Sequence, residues 1–171
     1  MKKKIVITGG LGYIGIELCK IYSGEAWNNE IVVLDKNFFS SRVNQLSDWN
    51  INFFQGYILD KNFIKKHIQT ADIIHHLAGI TNVESVKKEE NKKRDDLIKK
   101  TAIDGTQNIL DVMREDAKII FPSTHVIFEG LKKTKFNILE HEKPKTFLAY
   151  SSSKVINEKQ LKLSGKNYII L

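Results

Sequence analysis

Ile5-Val6-Ile7-Thr8-Gly9-Gly10-Leu11-Gly12-Tyr13-Ile14-Gly15 runs a short apolar segment straight into glycines at positions 9, 12 and 15, with an amphipathic segment behind them. Strand, glycine turn and helix in that order suit a dinucleotide pyrophosphate. Gly9 allows a tight turn, Gly12 lets the backbone approach phosphate, and Gly15 lets the helix pack on the strand. The helix start then offers unpaired N–H groups and the positive end of the helix dipole to an anion. Three glycines alone fit any strand-to-helix turn. Here Glu30-Ile-Val-Val-Leu-Asp35 adds a second apolar strand ending in an acid. That acid stands about 20 residues past the last glycine, where a carboxylate accepts from the adenosine ribose hydroxyls.

Outward from this stretch, Lys4–Thr8 reads as a strand, Tyr13–Tyr22 as a helix and Glu30–Asp35 as a strand. Lys36–Asn50 reads as a loop with room for a short helix, and Ile51–Gln55 as a third strand. Asp60 is placed to cap a helix over Lys61–Gln69, where Phe63, Ile64 and Ile68 fall at helical spacing. Asp72–Leu77 reads as a fourth strand, and a long helix is expected from Glu84 to Arg114, with Gly105 marking close packing. Lys118–Phe121, a polar loop over Glu129–Pro144, a helix over Tyr150–Leu163 and a strand over Tyr168–Leu171 complete the series. The alternation predicts an α/β fold over residues 1–171, a doubly wound, mostly parallel sheet. Chemistry is then expected at the carboxyl ends of the strands, where Gly9–Gly15, Asp35, Leu77–Thr81 and Ser123-Thr124 lie.

The 171 residues are 42% hydrophobic and 27% charged, which fits one domain with a substantial core. One cysteine, Cys19, excludes a disulfide framework and reads as a core residue. No metal site is expected, because His75 and His76 are adjacent on a strand and point to opposite faces. The expectation is one packed histidine and one near a cofactor. The net charge of +7 comes with acids interspersed and no interleaved aromatics, so no nucleic-acid partner is expected. No membrane association is expected either, and glycines break the apolar stretch after Met1-Lys-Lys-Lys4, giving a cytoplasmic expectation. His125 at a strand end, Trp27 and Trp49 read as structural, and Glu158 as a local ion-pair partner.

Tyr150-Ser-Ser-Ser-Lys154 opens a helix with Tyr150 and Lys154 on one face. An ammonium beside a phenol favours the phenolate, and such a tyrosine can exchange a proton with an alcohol or ketone during hydride transfer. Phe121-Pro122-Ser123-Thr124 puts a hydroxyl at a strand end, where Thr124 can align the reacting oxygen.

Thr8-Gly-Gly-Leu-Gly-Tyr-Ile-Gly15, Asp35, His76-Leu-Ala-Gly79, Gly105-Thr-Gln-Asn-Ile-Leu110, Ser123-Thr124 and Tyr150-Ser-Ser-Ser-Lys154 together resemble the extended short-chain dehydrogenase/reductase family, most of all its NAD-dependent nucleotide-sugar epimerases and dehydratases. The resemblance implies a Rossmann-like three-layer fold and a tightly held NAD that transiently oxidises a sugar hydroxyl. It assigns Tyr150 as acid/base, Lys154 as its partner and nicotinamide-ribose ligand, and Thr124 as substrate-orienting. It assigns Gly9, Gly12, Tyr13, Ile14, Gly15, Asp35, Ile58, Leu77, Ala78, Gly79 and Thr81 to the cofactor, together with Tyr150 and Lys154. A nucleotide-sugar substrate and a homodimer through the helix Tyr150–Leu163 and its neighbour are likewise implied. The chain departs from the family at Tyr57, where an aspartate usually touches adenine, at Ala102, where an asparagine is usual, and at Ile127-Phe128-Glu129, where Val-Tyr-Gly is usual. Family members also continue past the sixth strand into a substrate-binding region, so a truncated product or one half of a split enzyme is expected. Two alternatives remain open: a catalytically silent NAD-binding module, and NADP use through Lys36 or Arg42, which the charge of Asp35 opposes.

Overall fold

The computed structural model describes residues 2–81, 92–132 and 135–171. Six parallel strands, β1 (Lys4–Thr8), β2 (Glu30–Asp35), β3 (Asn52–Gln55), β4 (Ile73–His76), β5 (Lys118–Phe121) and β6 (Asn167–Ile170), lie in the order β3-β2-β1-β4-β5-β6. Thr8 pairs with Leu34 of β2 on one side and with His76 of β4 on the other. The strand order therefore reverses between β1 and β4, and a crevice opens above their carboxyl ends.

Alternation along the strands splits the core in two. On one face Val6, Leu34, Ile74 and Ile119 pack with Ile64 and Ile68 of α3 (Lys61–Ile68), Ile109 of α4 (Lys92–Val112) and Leu161 of α5 (Ala149–Leu163). On the other, Ile5, Ile7 and Val33 pack with Ile16 and Cys19 of α1 (Tyr13–Ser23) and Leu46 of α2 (Ser40–Asp48). The layers are helix, sheet and helix.

Asp60 caps α3, accepting from the amides of Asn62 and Phe63. A Cβ at Gly105 would stand 2.9 Å from the Ile58 side chain, so glycine there seats α4 against the chain after β3. Burial pushes the Cys19 thiol up to about 12, which makes it an inert core group. Trp49 packs on the second core.

The short helix for which Lys36–Asn50 had room is α2, which lacks a side-chain cap and is held instead by Leu46 and Val43 against the second core. Other expectations need correction. The expected start of α4 at Glu84 lies outside the described residues. Its end falls at Val112, two residues before Arg114, whose side chain pairs with Asp72 and Asp116. His125–Phe128 forms a 3-10 turn that the sequence did not suggest. Trp27 is no packing residue: it is 81% exposed in the turn before β2. Among the described residues no helix is long and apolar enough to cross a membrane, and no group of three acid, histidine or cysteine side chains could hold a metal.

Candidate functional site

The glycine turn closes on itself before α1 starts. The Gly9 amide donates to Leu34 O (2.7 Å) and the Gly12 amide to Gly9 O (3.0 Å). Gly9 has φ +71°, and a Cβ there would lie 2.7 Å from the Ala78 nitrogen of the chain after β4. At Gly15 a Cβ would meet the Gly10 backbone at 2.5 Å, so the helix sits directly on the turn. Gly12 differs. It has φ −71° and is exposed, and a Cβ would approach only Gly9 O, at 3.1 Å. Its backbone conformation is open to any residue, but a Cβ would press on the Gly9 carbonyl to which its own amide donates. No side chain caps α1, which leaves its first amides facing the crevice.

Asp35 sits at the end of β2, and its carboxylate accepts from the amides of Leu11 (3.1 Å) and Asn37 (2.9 Å). A carboxylate has about four lone-pair sites, so two remain for hydroxyl donors. From α2, Arg42 donates to Leu11 O and lies over the Phe39 ring. The turn is thus held through both the N–H and the C=O of Leu11.

Across the crevice Tyr150 and Lys154 rise from α5. The Lys154 ammonium donates to Pro122 O at 2.6 Å, lies 4.2 Å from the Phe121 ring centroid and 5.9 Å from that of Tyr150. Burial lowers it to about 8, against the raising charge of Glu158. Tyr150 shows the reverse of what its lysine neighbour suggested: burial raises the phenol above its ordinary value, and only the Thr124 hydroxyl pulls it down. The raised phenol is an acid for a carbonyl oxygen that is being reduced; as the base for a hydroxyl that is being oxidised it has first to give up its own proton. Thr124 also caps the 3-10 turn by accepting from the Val126 amide at 3.2 Å.

These parts line one cleft of about 610 Å³, within the usual range for small-molecule sites. Gly9, Gly12, Tyr13, Ile14, Gly15, Asp35, Ile58, Leu77, Ala78, Gly79, Thr81, Tyr150 and Lys154 all line it. Thr124 is not in the lining; it stands behind, against Tyr150. Ser123, which the sequence reading left without a role, does line the cleft, and its hydroxyl donates to Glu158. Glu158 also pairs with Lys162 (3.3 Å).

Neither histidine of the pair reaches the cleft lining. His75 meets the Tyr22 hydroxyl at 2.8 Å on one sheet face. His76, on the other, lies between the hydroxyls of Thr8 (3.0 Å) and Thr106 (2.9 Å), and burial pushes it down to about 3. It is a neutral strut, since a carboxylate-free, fully buried imidazole disfavours its charged form. Asn157 of α5 extends the network, donating to Thr106 Oγ1 and Ala102 O, each at 3.0 Å.

Glu129 was also missed. One of its oxygens accepts from the amides of Phe147 (3.1 Å) and Leu148 (2.9 Å) and from the Ser151 hydroxyl, at the start of α5; the other is buried without a partner. It joins the turn that follows Thr124 to the helix that carries Tyr150. No sequence signal marks it, because the acid comes from a separate segment.

A model of the 3-beta hydroxysteroid dehydrogenase/isomerase family matches residues 6–169. A dTDP-D-glucose 4,6-dehydratase of Dictyostelium discoideum is 31% identical over 134 residues, covering 74% of this chain and 30% of that protein. A UDP-N-acetyl-alpha-D-glucosaminuronate decarboxylase of Bacillus cytotoxicus is 33% identical over 131 residues, covering 75% of this chain and 38% of that protein. The solved structure of Bordetella bronchiseptica WbmH in complex with NAD+ superposes on all of this chain and 55% of its own, with a TM-score of 0.80 and 20% identity, a likeness of fold. The chain spans about a third of the curated relatives it matches and about half of the solved ones.

Proposed function

Because the chain belongs to the 3-beta hydroxysteroid dehydrogenase/isomerase family, within the extended short-chain dehydrogenase/reductases, we propose that its cleft holds NAD and serves the transient oxidation of a nucleotide sugar, as in epimerases and dehydratases. The observation that carries this reading is Gly12. It is an exposed glycine whose backbone conformation any residue could adopt, beside uncapped helix amides and in one cleft with the Tyr150 and Lys154 pair. The relatives named for dTDP-glucose and UDP-sugar chemistry supply the substrate class.

The chain's residues divide the work. Gly9 through Gly15 and the first amides of α1 receive the pyrophosphate, and Asp35 accepts from the adenosine ribose. Ile58, Leu77, Ala78, Gly79 and Thr81 wall the dinucleotide in, and Lys154 reaches its second ribose. NAD supplies the hydride acceptor when bound. Tyr150 moves the proton at the reacting sugar oxygen, with Thr124 fixing the phenol and the apolar walls excluding water. We place the protein in the cytoplasm, and its homodimer contact on α4 and α5, whose surfaces expose Leu97 and Ile156.

Gly12→Ala tests the reading. The variant should lose less stability than Gly9→Ala, since its backbone conformation is unstrained and the added methyl group meets one carbonyl oxygen, at 3.1 Å. Its NAD affinity, measured by calorimetry, should fall by about tenfold or more, as a lost charge-assisted contact would cause. Unchanged affinity would remove the phosphate from this turn.

The pH dependence gives a second check. Lys154 sits at about 8 in the fold and at about 10.4 when unfolded. The folded chain therefore releases this proton first. Activity that needs the ammonium should persist below pH about 8 and decline above it. Through the window up to about 10.4 unfolding takes up a proton, so Lys154 makes the fold more stable as pH rises. Lys154→Met should abolish this rise in stability. Activity and stability that decline together across the window, with the Met variant unchanged, would contradict the assignment.

A further inference from the structure

The adenosine end of the cleft has an unusual wall, and the following inference rests on the NAD reading above. Beyond Asp35 the lining continues along Gly56, Tyr57 and Ile58, with Lys36 and Thr101 facing it. Tyr57 is fixed in that wall. Its hydroxyl meets the Thr101 hydroxyl of α4 at 3.1 Å, and the Lys36 ammonium lies 5.8 Å from its ring centroid. Asp35 is the only carboxylate among the described lining residues, and it is turned to the Leu11 and Asn37 amides. Beyond Asp35 this end of the lining therefore offers no further carboxylate: it presents the Tyr57 ring, the Lys36 ammonium and hydroxyls bonded to each other, with Phe39, Arg42 and Ile58 beside them.

An exocyclic amino group is a donor, and it binds strongly where a carboxylate accepts it. A π-face is indifferent to the substituent pattern, because every purine has one. We propose that Tyr57 makes this end a reader of flat aromatic surface, so that the chain accepts dinucleotides whose purine carries an oxo group in place of the amino group of adenine. Tyr57 is in this sense a specificity-determining residue: it removes discrimination that an acid would create. The Lys36 ammonium favours the same outcome, since it can donate to an oxo group and repels no part of a neutral base.

The test is calorimetric titration of the full chain with NAD and with nicotinamide hypoxanthine dinucleotide. The two dissociation constants should agree within about fivefold, and Tyr57→Asp should widen the ratio in favour of NAD by about tenfold, the size of one charge-assisted bond. Tyr57→Phe, which keeps the ring and loses the Thr101 bond, should leave the ratio near that of the parent. A parent ratio above about thirtyfold, or a ratio that Tyr57→Asp does not widen, overturns the inference while leaving the NAD site in place. Failure of both dinucleotides to bind overturns the NAD reading itself, and the inference with it.

Discussion

Replacing Tyr150 by phenylalanine should reduce turnover by roughly 10²–10⁴-fold, the usual contribution of a positioned acid/base, while NAD affinity changes by less than about threefold. The ring of Tyr150 packs beside Lys154, and phenylalanine keeps that packing. The Lys154 anchor on Pro122 O does not involve the phenol. What disappears is one hydroxyl, the group against which Thr124 rests. Steady-state kinetics on a nucleotide-sugar substrate, measured in the native assembly beside dinucleotide titration, separates the two effects. Full activity in the variant would mean that the proton moves through another group and would end the assignment of Tyr150.

Gly9→Ala should be the most destabilising single-methyl change in the turn. The residue adopts φ +71°, and the added Cβ would lie 2.7 Å from a backbone nitrogen that cannot rotate away. Left-handed geometry costs a non-glycine residue roughly 1–2 kcal/mol. Overpacking against fixed atoms adds about 1–3 kcal/mol. Against a total stability of about 5–15 kcal/mol, the loss should appear as a large fall in the urea midpoint. Gly24 is the internal control: it has φ −66° and nothing within 4 Å of a Cβ, so Gly24→Ala should leave the midpoint unchanged or slightly raised. Equal effects in the two variants would contradict the steric account.

Much of this was legible in the sequence because it is local. The glycine spacing, the apolar runs of β1, β2 and β4, and Asp60 before α3 each announce their structure within a few residues. The doubly wound sheet follows from their alternation, and all the residues assigned to a cofactor line one cleft. The remainder depends on distance. The phenol of Tyr150 moves up and not down because burial outweighs its neighbours, and burial is a property of the whole fold. Glu129 holds the chain that leads into a helix many residues later, and Ser123 of the cleft lining bonds Glu158 from a distant helix. The helix α2 was legible only as a possibility within a loop because its polar sequence carries few apolar residues, and the few it has suffice to pin it. Trp27 shows the opposite error: its size suggested packing, yet the turn before β2 leaves it in solvent.

The central claim is that the cleft brings NAD and a sugar hydroxyl together at Tyr150, and its most direct measurement is the near-ultraviolet absorbance of the protein saturated with NAD as nucleotide sugars are added. Appearance of the reduced nicotinamide band with a UDP- or dTDP-hexose, and its absence in Tyr150→Phe, is the predicted result. NAD that binds in the cleft but is reduced by none of these sugars would contradict the account and leave the chain a binding module.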